Sequence, residues 1–394
     1  MTRQASVDPD PEPLEVLPDF ERFSQRDDIF CRSFWDPAVR SERSDLFYAT
    51  YRKPLANWRS ADGFTQRDYA LRNASWHVTD VFAELKEDED RREGYLDEFT
   101  LLRDPPAEKV PFDSPEAASA EVKRIGKLFG ADLIGITAYD ERWVYTHKYS
   151  RRLENEKPNE MPEGLRTVIV VAKEMDHGLI DTVPSALSGA ATGWGYSEDT
   201  LALLALSQYI RNLGYQAVPN LNDTALAIPL AIQAGLGEYG RHGMVITKEF
   251  GPRVRFGKIF TDLPLANDEP VQFGVKEFCD ACRRCSDACP VQAIPADTPS
   301  ERVYNRSNIV GVRKWSVDAE KCFGFWTKQN SDCSICIRVC PYNKRWSPRV
   351  FRLWRRLAGT PLRRLLLRLD TWLGFGARKS AADWWRAGGS GRSA

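Results

Sequence analysis

Apolar positions change period several times along the chain, and each change predicts an element. Trp76, Val78, Val81, Phe82 and Leu85 recur at helical spacing within a mixed region from about Phe34 to Leu102. Ser114-Pro115-Glu116 supplies an N-cap followed by proline at the first helical position, so a helix is predicted over Ala117 to Phe129. Strands are predicted at Ala131 to Thr137 and at TVIVVA, Thr167 to Ala172. A helix from about Asp199 to Leu213, the strand-like YQAVP and a second helix ending near Gly235 follow, then the strands MVIT and RVRFGKIFTD. Helices and strands that alternate in this way point to an α/β or α+β core, not to a bundle or a sandwich. Near the end, Leu353, Trp354, Leu357, Leu362, Leu365, Leu366 and Leu369 form an apolar stripe between arginines.

Charge changes how that last stripe is read. The 394 residues carry 55 basic and 55 acidic side chains, a formal net charge of +0 that excludes a polyelectrolyte. Residues 345–394, however, hold 12 basic and two acidic side chains, so a basic tail follows an acidic body. The tail reads either as a basic amphipathic helix on an anionic membrane surface or as a helix packed on the body with solvated arginines. Hydrophobic residues make up 42% of the chain and include 12 Trp, which excludes wholesale disorder. The first 30 residues, rich in proline and acid, read as an extended arm. The N-terminus shows neither a secretory nor a twin-arginine signal, and no run of about 18 apolar residues is present, so a cytoplasmic location is expected.

Cysteine spacing carries the chemistry. Eight of nine cysteines fall between Cys279 and Cys340, and Cys31, standing alone, is expected to be a buried core thiol. The first motif is Cys279-x2-Cys282-x2-Cys285-x3-Cys289-Pro290; the second is Cys322-x10-Cys333-x2-Cys336-x3-Cys340-Pro341. A C-x2-C-x2-C loop wraps one cubane with three thiolates, while the cysteine before proline serves the other cluster. The crossover predicts Cys279, Cys282, Cys285 and Cys340 on cluster 1, and Cys289, Cys322, Cys333 and Cys336 on cluster 2. Paired zinc sites are the alternative for C-x2-C pairs. Two clusters alone would make an electron carrier, which does not need some 270 residues upstream.

Three upstream segments and the cluster motif resemble corrinoid-dependent reductive dehalogenases: GYSEDTLALLALSQYIRNLGYQAVPNLND (Gly195 to Asp223), AGLGEYGRHGMVITKEFGPRVRFGKIFTDLPL (Ala234 to Leu265), FGADLIGITAYDERWVY (Phe129 to Tyr145) and CFGFWTKQNSDCSICIRVCPYNK (Cys322 to Lys344). RFSQRDDIFCR, from Arg22, is similar to a further landmark, and the likeness runs from about residue 20 to LDTWLGFG. The resemblance implies an α+β fold, a nitroreductase-like corrinoid-binding core followed by a ferredoxin-like double [4Fe–4S] domain. On that basis residues 1–113 are expected to form an N-terminal arm and helical region, 114–270 the core, 271–345 the cluster domain and 346–394 the tail.

The resemblance also implies a reaction: two electrons and one proton replace a halide on an organohalide, an aromatic one being the expectation. Tyr196 stands where the family places its proton donor, with Asn222 and Arg255 as the polar residues beside it. A phenol is a plausible acid where a cation stabilises its phenolate, and guanidinium keeps its charge when partly buried. Base-off cobalamin is implied, without a histidine to cobalt: the chain lacks D-x-H-x-x-G, and Asp176-His177-Gly178 has the wrong spacing. Gly235-x-Gly237-x-x-Gly240 satisfies a dinucleotide fingerprint, but an apparent helix precedes it and a strand follows, the reverse of the required order. Gly235 and Gly237 are instead expected to let backbone approach the corrinoid edge. A separate ferredoxin, flavodoxin or reductase is the expected electron donor, with membrane contact through the tail as an option and nucleic acid not expected. The alternatives are a relative of epoxyqueuosine reductase acting on tRNA, an electron-transfer subunit, and a family member turned to another reductive cleavage.

Overall fold

The computed structural model describes residues 14–52, 58–88, 106–150, 154–345 and 348–387. The arm up to residue 13 and the end of the N-terminal helical region, 89–102, lie outside the described residues. In chain order the elements are β1 (Glu15–Val16), α1 (Ile29–Trp35), α2 (Glu42–Arg52), α3 (Gln66–Asp88), α4 (Pro115–Leu128), β2 (Leu133–Ala138), β3 (His147–Ser150), β4 (Asn155–Pro158), β5 (Thr167–Glu174), α5 (His177–Ile180) and α6 (Ala186–Asn212). Then come β6 (Ala217–Asn220), α7 (Ala227–Gln233), β7 (Gly237–Tyr239), β8 (Val245–Thr247), β9 (Val254–Thr261), α8 (Val275–Ala281), α9 (Arg284–Ala288) and β10 (Val312–Arg313). The last helices are α10 (Ala319–Gln329), α11 (Ile335–Arg338), α12 (Pro348–Ala358), α13 (Arg363–Trp372) and α14 (Ala381–Arg386).

The core is an antiparallel four-stranded sheet in the order β2-β5-β9-β6. Strand β5 is a nearly continuous apolar run because both of its faces are covered. Val168, Val170 and Ala172 pack with Leu230, Ala231 and Ile232 of α7, while Ile169 and Val171 pack with Leu203, Leu206 and Ile210 of α6. The two-residue side-chain period of a strand sends alternate residues to the two layers. This is an α+β architecture, with helices on both faces of an antiparallel sheet.

Ser114 caps α4 as expected, its hydroxyl accepting from the Ala117 amide at 3.2 Å. Helix α6 begins at Ala186, well upstream of the expected Asp199. Its first turns, ALSGAATGWG, hold three glycines, each costing about 1 kcal/mol against alanine. Close packing on α3 offsets this. A Cβ at Gly193 would lie 2.3 Å from the Trp76 ring, and one at Gly189 would lie 2.9 Å from Arg72. Those glycines therefore let α3 approach α6, and the Ser197 hydroxyl donates to the Ser75 carbonyl at 2.6 Å across the same seam.

The glycine-rich stretch ends α7 and opens the β7–β8 hairpin, the helix-then-strand order read from the sequence. The hairpin grips the cysteine-rich part of the chain. Arg241, fully buried, donates to the carbonyls of Cys279 at 2.8 Å and Cys282 at 3.0 Å, and to Pro295 and Asp297 at 2.9 and 2.6 Å. Glu238 accepts the amides of Phe273 and Val275 at the start of α8. The tail packs on the body: Phe351, Trp354 and Ala358 of α12 are buried with Phe278 and Tyr342, and Asp62 accepts from Ser380 and from the Ala382 amide at the start of α14. Among the described residues no helix is long and apolar enough to cross a membrane.

Candidate active site

Tyr196, Asn222 and Arg255 come from α6, from the loop after β6 and from β9, and the fold brings all three together. The Asn222 amide donates to the Tyr196 hydroxyl. The Arg255 guanidinium lies 4.0 Å from the centre of the Tyr196 ring, and Trp76 of α3 stacks against the same ring with centroids 4.9 Å apart. Gly195 makes room for this, since a Cβ there would lie 2.8 Å from Arg255 Cγ. Burial lowers Arg255 to about 10, against the pull of nearby Asp332, so it stays protonated at neutral pH. Its Nε has no hydrogen-bond partner, and Asn222 is exposed, so the hydroxyl and its amide stand at an open edge.

The loop that carries Asn222 is held from beneath. Lys258, fully buried in β9, donates to the carbonyls of Leu221 and Ala225, the latter at 2.9 Å. The Tyr145 hydroxyl donates to the Asn222 carbonyl at 3.2 Å, and the Asn159 amide donates to Thr224, a residue with φ of 67°. From sequence Trp76 reads only as an apolar helix position, and Lys258 and Tyr145 carry no assigned role. A lysine inside VRFGKIFT was a usable signal, because a charge in a strand buried on both faces demands partners.

A second set of groups joins this site to the cysteines. Tyr51 donates to Asp332, the residue before Cys333, and its ring meets Trp76 edge-on at 5.7 Å. Tyr196, Trp76, Tyr51 and Asp332 thus form a contiguous path to one cysteine group.

Cys279, Cys282, Cys285 and Cys340 line one small cavity with His242, Phe278, Pro341 and Tyr342. Cys322, Cys333 and Cys336 each interact with the neighbouring Cys289, and Cys336 also interacts with Cys285, so the two groups are neighbours. Burial, with the neighbouring thiols adding to it, pushes Cys285 and Cys322 up to about 12. Such thiols ionise when positive iron arrives, which couples deprotonation to binding. Among the described residues no three His, Cys, Asp or Glu side chains close on a single metal ion.

Gly235 and Gly237 face protein. A Cβ at Gly235 would lie 2.5 Å from the Glu269 carbonyl, and one at Gly237 would lie 2.3 Å from the Ile246 carbonyl. The chain's own backbone accounts for both glycines, and the hairpin they open carries Arg241 to the cysteines. Asp176 caps α5 through the Leu179 amide at 2.7 Å, and His177 sits 3.3 Å from Asp181, so that triplet is a local cap and pair. Cys31 is buried, as expected. A cavity of about 510 Å³ beside α10, lined by Val39, Glu42, Glu320, Phe323 and Thr327, includes none of the three site residues.

An antiparallel α+β core joined to eight paired cysteines defines an iron–sulfur redox protein with a tyrosine-centred site. Residues 278–343 match the family model described as a 4Fe-4S double cluster binding domain, and residues 156–265 match that of the reductive dehalogenase subunit. The chain is 37% identical over 307 residues to a tetrachloroethene reductive dehalogenase of Desulfitobacterium hafniense, covering 67% of this chain and 55% of that protein. In fold it is similar to a solved reductive dehalogenase described as suggesting a mechanism for B12-dependent dehalogenation, with TM-score 0.72, 21% identity and 93% of this chain covered. It is also similar to a catabolic reductive dehalogenase in complex with 3-bromo-4-hydroxybenzoic acid, with TM-score 0.71 and 21% identity over 93% of this chain. The chain belongs to the reductive dehalogenase family. It spans about half the length of these relatives, 55% of the first and 48% of each of the other two.

Proposed function

We propose that this chain removes halide from an organohalide, R–X + 2e⁻ + H⁺ → R–H + X⁻, with Tyr196 as the proton donor. The observation that carries the reading is the clamped tyrosine: the Asn222 amide on its hydroxyl and the Arg255 guanidinium 4.0 Å over its ring. Tyr196 gives its proton to the carbon as the halide leaves, and Arg255 stabilises the phenolate that remains. Asn222 fixes the direction of the hydroxyl, and at its exposed edge solvent returns the proton. Trp76 closes one face of the phenol and keeps water from it. A corrinoid bound at this edge supplies the two-electron reductant for the carbon–halogen bond. The open edge and the unpartnered Arg255 Nε suit a large polar-rimmed cofactor.

Cys279, Cys282, Cys285 and Cys340 hold the first [4Fe–4S] cluster, and Cys289, Cys322, Cys333 and Cys336 hold the second. The second lies on the side of Asp332, Tyr51 and Trp76 and so passes electrons to the site. An aromatic halide is the substrate class, supported by the solved relative bound to 3-bromo-4-hydroxybenzoic acid and by the aromatic Trp76–Tyr196 pair at the site.

The test is the Tyr196→Phe variant, purified anaerobically and assayed with reduced viologen and halogenated phenols. Halide release should fall at least about 100-fold, within the usual contribution of a positioned acid, while iron and corrinoid contents stay unchanged. Normal turnover of the variant would refute the assignment. Reduction of an epoxide in tRNA, with no halide released from any organohalide, would overturn the reaction class.

A further inference from the structure

The basic tail covers one of the two cysteine groups. Trp354 of α12 packs on Phe278 and Tyr342 at 5.4 and 4.9 Å between ring centroids. Phe278 precedes Cys279 and Tyr342 follows Cys340, and both line the cavity of the first group. From α13, buried Asp370 accepts from Arg284, which stands between Cys282 and Cys285, and from Lys344; Arg284 also donates to the Phe375 carbonyl. Helices α12 and α13 therefore roof the first cysteine group.

The outer face of that roof carries a cluster of exposed apolar side chains. Leu362, Leu365, Leu369, Trp372 and Leu373 repeat along one side of α13, with Leu353 of α12 as a further exposed leucine. Trp372 is 80% exposed and Leu353 59%. A run of large apolar side chains in water marks a contact surface. Arg364 and Arg368 flank the stripe without an acidic partner among the described residues. Residues 345–373 hold eight arginines and a single acid, Asp370, which is buried beneath them.

Position and charge together select the occupant. We infer that this arginine-flanked apolar face is the docking port for an acidic one-electron donor protein of the ferredoxin or flavodoxin class; the inference rests on the electron path proposed above. Each encounter oxidises the donor by one electron and reduces the first cluster by one, with no bond made or broken. Two encounters supply one halide elimination. An apolar centre beside charges gives a small contact that forms fast and releases fast, as turnover by a shuttling donor requires. A membrane would meet the same residues, but their place over the redox centre favours the donor.

The test uses the full chain with its clusters and an acidic ferredoxin as probe, in three forms: wild type, Arg364→Glu/Arg368→Glu, and Leu365→Ser/Trp372→Ser. Cluster reduction by pre-reduced ferredoxin is followed by stopped-flow absorbance, and binding of the oxidised ferredoxin is measured at low and high salt. Reduction by the donor should slow about tenfold or more in the arginine variant, and its salt dependence should flatten. Reduction by methyl viologen, which needs no docking, should not change, and neither should the iron content. Because the readout is cluster reduction, it stands whether or not an organohalide is consumed. Unchanged donor-driven rates in both variants overturn the inference. In that case, loss of sedimentation with phosphatidylglycerol vesicles assigns the face to a membrane, and a change in oligomer mass assigns it to a second copy. Should the apolar variant lose iron, the arginine pair, exposed and outside the cluster shell, decides alone.

Discussion

Replacing Arg255 with methionine removes the cation that lies over the Tyr196 ring while keeping a side chain of similar reach. The guanidinium is 4.0 Å from the ring centre and, at about 10, remains charged under assay conditions. A unit charge about 4 Å away is worth roughly 4 kcal/mol at an effective dielectric of about 20. The neutral phenol feels only the weaker cation–π attraction, whereas the phenolate gains the full charge–charge interaction, so the difference acts on the barrier to proton donation. If half the charge has developed at the transition state, the loss is roughly 2 kcal/mol and the rate falls about 30-fold; with full development it falls about 1000-fold. The assay is halide release from a halogenated phenol under reduced viologen, with iron and corrinoid measured on the same sample. Arg255→Lys keeps the charge without the planar stack and should recover part of the loss. A methionine variant within threefold of wild type, with both cofactors intact, would refute the electrostatic role.

Two further predictions concern groups outside the proton donor itself. In Lys258→Met the carbonyls of Leu221 and Ala225 lose their donor, which should lower stability by about 1–3 kcal/mol and loosen Asn222. Burial, against the pull of Asp223 and Asp199, lowers Lys258 from 10.5 to about 7. Between those values the unfolded chain binds more protons, so this lysine makes stability rise with pH, by up to about 1.4 kcal/mol per unit. The melting-temperature gap between wild type and Lys258→Met should therefore widen from pH 7 to pH 9; a constant or narrowing gap refutes the reasoning. Cys340→Ser removes the crossover ligand from the first group alone, so iron should fall from about eight toward about four per chain while the second cluster's paramagnetic signal persists. Loss of the second signal instead would reverse the ligand assignment.

Much of the central sheet could be read locally. TVIVVA and RVRFGKIFT are apolar because helices cover both faces, and the Ser114 cap is a short-range hydrogen bond that needs no distant partner. The start of α6 could not be read that way, since ALSGAATGWG holds three glycines and is helical because α3 lies against them. The glycines at 235 and 237 show a related dependence: their spacing signals close approach, and the fold supplies the Glu269 and Ile246 carbonyls against which they lie. The tail's stripe gave its amphipathic character and not which leucines face water, because that depends on where Asp370 and Trp354 find partners.

What the sequence by itself determined was the redox chemistry. Eight thiols at fixed spacing impose a two-cluster arrangement through loop geometry, and motif likeness pointed to Tyr196, Asn222 and Arg255. What only the tertiary structure decided was the set of relations between elements far apart in the chain. These include Trp76 stacked on Tyr196, Lys258 beneath the Asn222 loop, Asp332 bridging to Tyr51, and α12–α13 roofing the first cysteine group. Spacing acts through the covalent chain over a few residues, whereas these contacts form between segments tens to hundreds of residues apart. Packing of the whole core, not any local pattern, selects them.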